Sequence, residues 1–130
     1  ASDVYKRQNK GCINFPGGKR EDKETMEECV IRETLEETGL HIKNPKQVGY
    51  IEFPSKDFYV YVFKSTEFSG MLHENKDEVH TFWIEKDKVP YEEMREADRD
   101  FLPDILAGKF VRRRYIYDEN FHLQKIINLD

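Results

Sequence analysis

The stretch from residue 18 to residue 40, GKREDKETMEECVIRETLEETGL, constrains this chain more than any other part of it, and it holds seven glutamates. At about 100° per residue, Met26, Val30, Glu33 and Glu37 fall on one narrow stripe of a helix. Cys29 and Glu36 flank that stripe, while Ile31 and Leu35 lie opposite. A helix apolar on two sides is expected between a sheet and other structure, yet this apolar stripe ends in two carboxylates. A solvated acidic face is the ordinary explanation of a charge run, but it leaves the apolar first turns unexplained. Crowded carboxylates resist ionising together unless a cation neutralises them. Hard Mg²⁺ or Mn²⁺ takes oxygen ligands and keeps part of its shell for water and substrate phosphate. Glu33, Glu36 and Glu37, at i, i+3 and i+4, can address one such ion. Arg32 stands beside them to orient a carboxylate or offset its charge.

The 130 residues are one domain's worth of chain, enough for a core. A net charge of −5 argues against a nucleic-acid or membrane-surface binder, whose affinity comes from a basic face. No apolar run approaches the ~20 residues of a membrane span, and no stretch reads as a signal peptide. Cys12 and Cys29 lack metal-ligand spacing and read as reduced thiols of a cytoplasmic protein rather than a disulfide. No feature of the chain sets an oligomeric state.

The opening ASDVYKRQ reads as foreign. DVYKRQ is what GAT GTG TAT AAG AGA CAG encodes, which resembles a sequencing-library transposon end read in frame. Residues 1–8 are therefore expected to be non-native sequence, joined to a domain over residues 9–130 whose natural start is missing. GCINF (11–15) reads as a short strand entering a Pro-Gly-Gly turn. Thr25 and Glu28 form a capping-box pattern, and Gly39 supplies the helix stop. Strands are expected near 46–53, 58–67 and 79–85, with a turn at Ser69-Gly70 and Trp83 in the core. A helix is expected over 97–107, with Pro103 either starting or kinking it. Residues 112–129 read as a hairpin turning at 118–120.

Gly18, five residues, Glu24, seven residues, then Arg32-Glu33-Thr34-Leu35-Glu36-Glu37-Thr38-Gly39-Leu40 resembles the Nudix box, and FPGGK upstream is also typical of that family. Thr34 departs from the aliphatic residue usual there, which touches packing rather than chemistry. The resemblance implies an α/β fold, the Nudix α/β/α sandwich around a mixed sheet, with the opening strands missing from this chain. It implies a hydrolase that splits a nucleoside diphosphate linked to another group. Glu33, Glu36 and Glu37, with the carbonyl of Gly18, would bind Mg²⁺ or Mn²⁺, and Arg32 and Glu24 would be the supporting pair. A metal there polarises phosphate oxygens and makes water a usable nucleophile near neutral pH. Glu33, at the centre of the stripe, is the candidate general base.

Residues 77–94 and 98–109 are similar to the MutT-like enzymes that cleanse oxidised purine nucleoside triphosphates. In that likeness Glu78 falls on a further metal-binding or base-assisting glutamate; alone it reads as an exposed acid at a strand start. Asn14 falls on an asparagine that hydrogen-bonds the base, an amide offering donor and acceptor together, or else it is a turn residue. Asp98 falls on one of two acids that read the purine edge. The second acid is Ala97 here, and the usual stacking aromatic is Arg95. Lys19 either meets phosphate or is a surface lysine.

The function these readings imply is a Mg²⁺-dependent pyrophosphohydrolase converting 8-oxo-dGTP or a similar oxidised purine nucleotide to monophosphate and pyrophosphate. Such an enzyme serves nucleotide sanitation and DNA repair without binding nucleic acid itself. Arg95 and Ala97 keep other substrates open: ADP-ribose, a dinucleotide polyphosphate or an ordinary nucleoside triphosphate. A nucleotide sensor without turnover is the third reading, and the intact glutamates argue against it.

Overall fold

The computed structural model describes residues 2–8, 13–73, 75–76 and 79–130. Two compact units make up the chain: Ala1–Lys46 with Ser65–Arg95, and Gln47–Lys64 with Glu96–Asp130.

In the first unit, strand β1 (Ser2–Gln8) runs antiparallel between β2 (Ile13–Asn14) and β8 (Val79–Glu85), and β7 (Asn75–Lys76) pairs with the far side of β8. The register sets Lys6 opposite Thr81 on one side and Asn14 on the other. The segment that reads as foreign thus fills an inner strand position. Its β-prone Val4-Tyr5 pair is the physical reason, since Tyr5 is 1% exposed and its ring lies 6.1 Å from that of Phe15. The fit has a local cost: Asp3 Oδ2 is buried with no hydrogen-bond partner among the described residues, which native sheets rarely carry.

Helix α1 (Met26–Thr38) begins as its sequence predicts. Glu28 N–H donates to Thr25 Oγ1 at 3.0 Å, and Thr25 N–H donates to Glu28 Oε1 at 2.8 Å. Such a cap stabilises a helix by about 0.5–2 kcal/mol. Gly39 ends it in the left-handed conformation, φ 82°, donating its N–H to Leu35 O at 2.9 Å. Cys29, Thr34 and Thr38 are the buried residues of α1, and Leu35 is 44% exposed. The side expected to be a second apolar face is therefore open at Leu35.

Strand β3 (Leu40–Lys43) follows directly and pairs antiparallel with β6 (Glu67–Gly70), Leu40 opposite Gly70. Ser69 and Gly70, expected as a turn, are strand residues instead. Four residues are too few for period-two patterning to register, and the pairing closes over a long stretch of chain. Trp83 also departs from expectation: it is 43% exposed and packs at 5.4 Å against Phe68.

The second unit is a four-stranded sheet in the order β10-β9-β4-β5. Strands β4 (Lys46–Phe53) and β9 (Val111–Tyr117) are parallel, and β10 (Leu123–Asn128) is antiparallel to β9. Strand β5 (Phe58–Lys64) is an edge. Helix α2 (Glu96–Leu106) packs on β9, burying Ala97, Phe101 and Leu102. Its start at Glu96 places Pro103 inside the helix, so Pro103 does not begin it. The buried Tyr115 hydroxyl donates to Asp100 Oδ2 at 2.7 Å, and Arg113 Nη1 donates to the same oxygen at 3.0 Å. No helix among the described residues is long and apolar enough to cross a membrane.

If β1 belongs to the cooperative fold, Tyr5→Ala should destabilise the protein by about 3–5 kcal/mol, the usual cost of emptying a large aromatic site. Denaturant unfolding followed by circular dichroism measures it. An unchanged midpoint would place β1 outside the fold.

Candidate active site

The site is assembled around one guanidinium. Arg32, on the second turn of α1, donates from Nε to Glu24 Oε1 at 2.7 Å and from Nη2 to Glu24 Oε2 at 3.1 Å. Nη2 also donates to the Lys19 carbonyl at 3.1 Å. This fork-on-fork contact anchors the 18–24 loop to the helix, and bidentate pairing of this kind fixes both partners in one plane. The loop returns the constraint, since Glu21 N–H donates to Glu24 Oε2 at 2.9 Å and Arg20 Nη1 donates to Glu24 O at 3.0 Å.

The remaining nitrogen faces the acidic stripe. Arg32 Nη1 donates to Glu33 Oε1 at 2.8 Å and to Glu36 Oε2 at 3.3 Å, with Glu21 Oε1 3.6 Å away. Glu33 is pressed against Gly18: a Cβ added to Gly18 would sit within the Glu33 carboxylate. Here it is close approach rather than backbone angles that favours glycine, since a Cβ would make the Glu33 carboxylate shift. Glu37, one turn on, accepts the Gly17 N–H at 2.6 Å and the Lys6 ammonium at 2.9 Å. The Gly-Gly turn therefore touches two of the three carboxylates, Gly17 through its N–H and Gly18 through its missing side chain. Cys29 is a buried free thiol packed under this turn, its Sγ 3.9 Å from Gly18 O, and burial pushes the thiol pKa up.

The donor set fits a hard divalent cation by its chemistry: carboxylate oxygens on consecutive turns, one of them seated in a cradle that a Cβ would fill. As they stand, no three His, Cys, Asp or Glu side chains among the described residues are placed to hold a metal ion. Glu33 and Glu36 meet at Arg32 Nη1 instead.

Of the predicted site residues, Gly18, Glu24, Arg32, Glu33, Glu36 and Glu37 come together in the first unit. Asn14 lies on β2, cross-strand from Lys6, and Lys6 in turn holds Glu37. Lys19 contributes its carbonyl, while its side chain is exposed. Asp98 lies on the first turn of α2 in the second unit, Ala97 beside it is buried and Arg95 is exposed. Glu78 and Cys12 lie outside the described residues. Lys6 and Gly17 were missed. Gly17 could have been found from its place in the Pro-Gly-Gly turn, whereas nothing short of the β1 register would have indicated Lys6.

Residues 3–105 match the NUDIX domain. The chain belongs to the Nudix family. Among Nudix relatives, the oxidized purine nucleoside triphosphate hydrolase of Danio rerio is 32% identical over 103 residues, covering 76% of this chain and 65% of that protein. The chain thus spans a little under two thirds of that relative's length. The ADP-ribose pyrophosphatase of Methanocaldococcus jannaschii is 47% identical over a shorter stretch of 57 residues, 42% of this chain and 34% of that protein. The crystal structure of a MutT protein from Bacillus halodurans superposes with a TM-score of 0.84 at 28% identity, covering 95% of this chain and 87% of that one. The mixed α/β architecture with two helices is accordingly that of a Nudix fold.

The bracket makes a prediction about acid. Hydrogen bonds from Arg32, then from the Glu21 N–H, pull the Glu24 pKa from its ordinary 4.5 to about 2. An unfolded Glu24 takes up its proton first as pH falls, so its stabilisation is complete above about pH 4.5 and declines toward about pH 2. A carboxyl NMR titration should place the Glu24 midpoint near 2, moving toward 4.5 in Arg32→Ala. A wild-type midpoint near 4.5 would mean that the bracket is absent in solution.

Proposed function

We propose that this chain is a Mg²⁺-dependent nucleoside triphosphate pyrophosphohydrolase that acts on oxidised purine nucleotides such as 8-oxo-dGTP. The observation that carries the reading is the carboxylate stripe held by Arg32, with Glu33 seated on Gly18. Glu33, Glu36, Glu37 and the Gly18 carbonyl are the groups that would hold the ion. When bound, Mg²⁺ or Mn²⁺ supplies charge neutralisation of the phosphates and eases the deprotonation of water. Glu78 is assigned as a further ligand.

The chain's own residues do the rest. Arg32 commits Glu33 Oε1, so Oε2 is the oxygen assigned to take the proton from the attacking water. Attack at phosphorus breaks the anhydride bond between the α and β phosphates, releasing monophosphate and pyrophosphate. Glu24 keeps Arg32 in the plane that orients Glu33. Asn14 is assigned to the base edge and Lys19 to phosphate. The buried free Cys29 is consistent with a reducing, cytoplasmic setting. The oxidised-purine choice draws support from the name of the Danio rerio hydrolase. One observation favours a different substrate with the same chemistry: Ala97 is in the core and offers no second acid. ADP-ribose is then the substrate to compare, given the archaeal relative's name.

Pyrophosphate and monophosphate release with Mg²⁺ should be strongest for 8-oxo-dGTP among that nucleotide, dGTP, dATP, ADP-ribose and diadenosine polyphosphate, and should be lost in Glu36→Gln. Preference for another diphosphate would keep the hydrolase and overturn the sanitising role. Binding without turnover of any of them would make the chain a sensor. Gly18→Ala should lower turnover about 10²-fold, because it displaces Glu33 by roughly an ångström. Unchanged turnover in that variant would remove Glu33 from its assigned role.

A further inference from the structure

Helix α1 places Glu36 and Glu37 in its last turn and has no basic residue there. That end of a helix is the negative pole of its dipole and leaves four carbonyls without intrahelical partners. Two acids at this position repel each other and the helix end together, so the turn that carries them has reason to fray. Several donors meet it. Gly39 N–H reaches Leu35 O at 2.9 Å, His73 N–H reaches Thr38 O at 2.6 Å, and the Thr38 hydroxyl reaches Thr34 O at 2.6 Å.

Thr38 does more than cap. Its hydroxyl also accepts the Leu40 N–H at 3.1 Å, tying the last helical turn to the first residue of β3, and the residue is fully buried. The His73 carbonyl accepts from the hydroxyl of the buried Thr81 on β8. Thr81 stands opposite Lys6 on β1, and Lys6 holds Glu37, the residue next to Thr38. The Thr38 carbonyl is thus linked through His73 to Thr81, the register partner of the lysine that holds Glu37.

We propose that Thr38 is a positioning residue for the carboxylate site, fixing the last turn of α1 so that Glu36 and Glu37 keep their places against dipole and mutual repulsion. The proposal rests on reading Glu33, Glu36 and Glu37 as cation-binding groups. The hydroxyl is needed as donor and acceptor at once, so a side chain of the same shape without it opens both links, and a smaller one that keeps it preserves them.

The test compares the full chain with Thr38→Val and Thr38→Ser, using Mn²⁺ as the probe in titration calorimetry and amide hydrogen exchange at Leu40 without any ion. Thr38→Val should weaken Mn²⁺ binding about 10- to 100-fold, the usual effect of removing a group that orients ligands, and should speed exchange at Leu40. Thr38→Ser should restore both. A folded Thr38→Val with wild-type Mn²⁺ affinity overturns the proposal. If Thr38→Val does not fold, Thr38→Ala removes the same two hydrogen bonds, and wild-type Mn²⁺ affinity there overturns it equally. A wild-type chain that binds no Mn²⁺ overturns the cation reading itself, an outcome distinct from the failure of Thr38 alone.

Discussion

The contact on which the rest of the site depends is the one between Arg32 and Glu24. There the helix grips the loop after the Pro-Gly-Gly turn with two parallel hydrogen bonds. With Nε and Nη2 committed there, the orientation of the guanidinium is set, and Nη1 is left to face Glu33 and Glu36, with Glu21 Oε1 3.6 Å away. The same hydrogen bonds lower the Glu24 pKa and raise that of Arg32, so each partner holds the other in its charged form. Arg32 thereby sets Glu33 and Glu36, while Glu37 is set by Gly17 and Lys6.

That arrangement runs against the local preferences of a helix. Glu27 and Glu28 suit the first turn, where the dipole favours anions, but Glu36 and Glu37 oppose it at the other end, each by about 0.3–1 kcal/mol at an exposed position. Natural chains break local rules at functional sites and compensate nearby. The compensation here is the dense capping by Gly39, Thr38 and His73. Gly39 and Gly70 also show why that region tolerates little change. Both have positive φ, 82° and 93°, and a Cβ on either would collide with backbone of the other strand or loop.

Local signals were legible where a short-range physical rule decides. The Thr25–Glu28 box, the Gly39 stop, β4, β8 and the β9–β10 hairpin all follow from capping, glycine conformation and alternation within a few residues. The six candidate site residues from Gly18 to Glu37 were legible as a group for the same reason: one helix and its lead-in carry them. Misreadings concentrate where a distant partner decides. Gly70 is a strand residue because Leu40 pairs with it, and Trp83 stays half-exposed because Phe68 rather than the core receives its ring. Leu35 looked buried on a helical wheel, which assigns faces but does not say which of them another element covers.

By itself the sequence determined which groups come together: three glutamates at i, i+3 and i+4, an arginine beside them and a glycine with no side chain at the approach, all within 20 residues. Spacing along a helix is enough to bring those groups to one side, because 3.6 residues per turn is a property of the backbone. Only the tertiary structure decided what holds each carboxylate. Glu33 is seated by Gly18, Glu37 is held by Gly17 and by Lys6 from a strand 31 residues away, and Thr38 is tied to β3 and to the 71–73 loop. Those contacts depend on sheet register and chain reversal, which no local periodicity encodes.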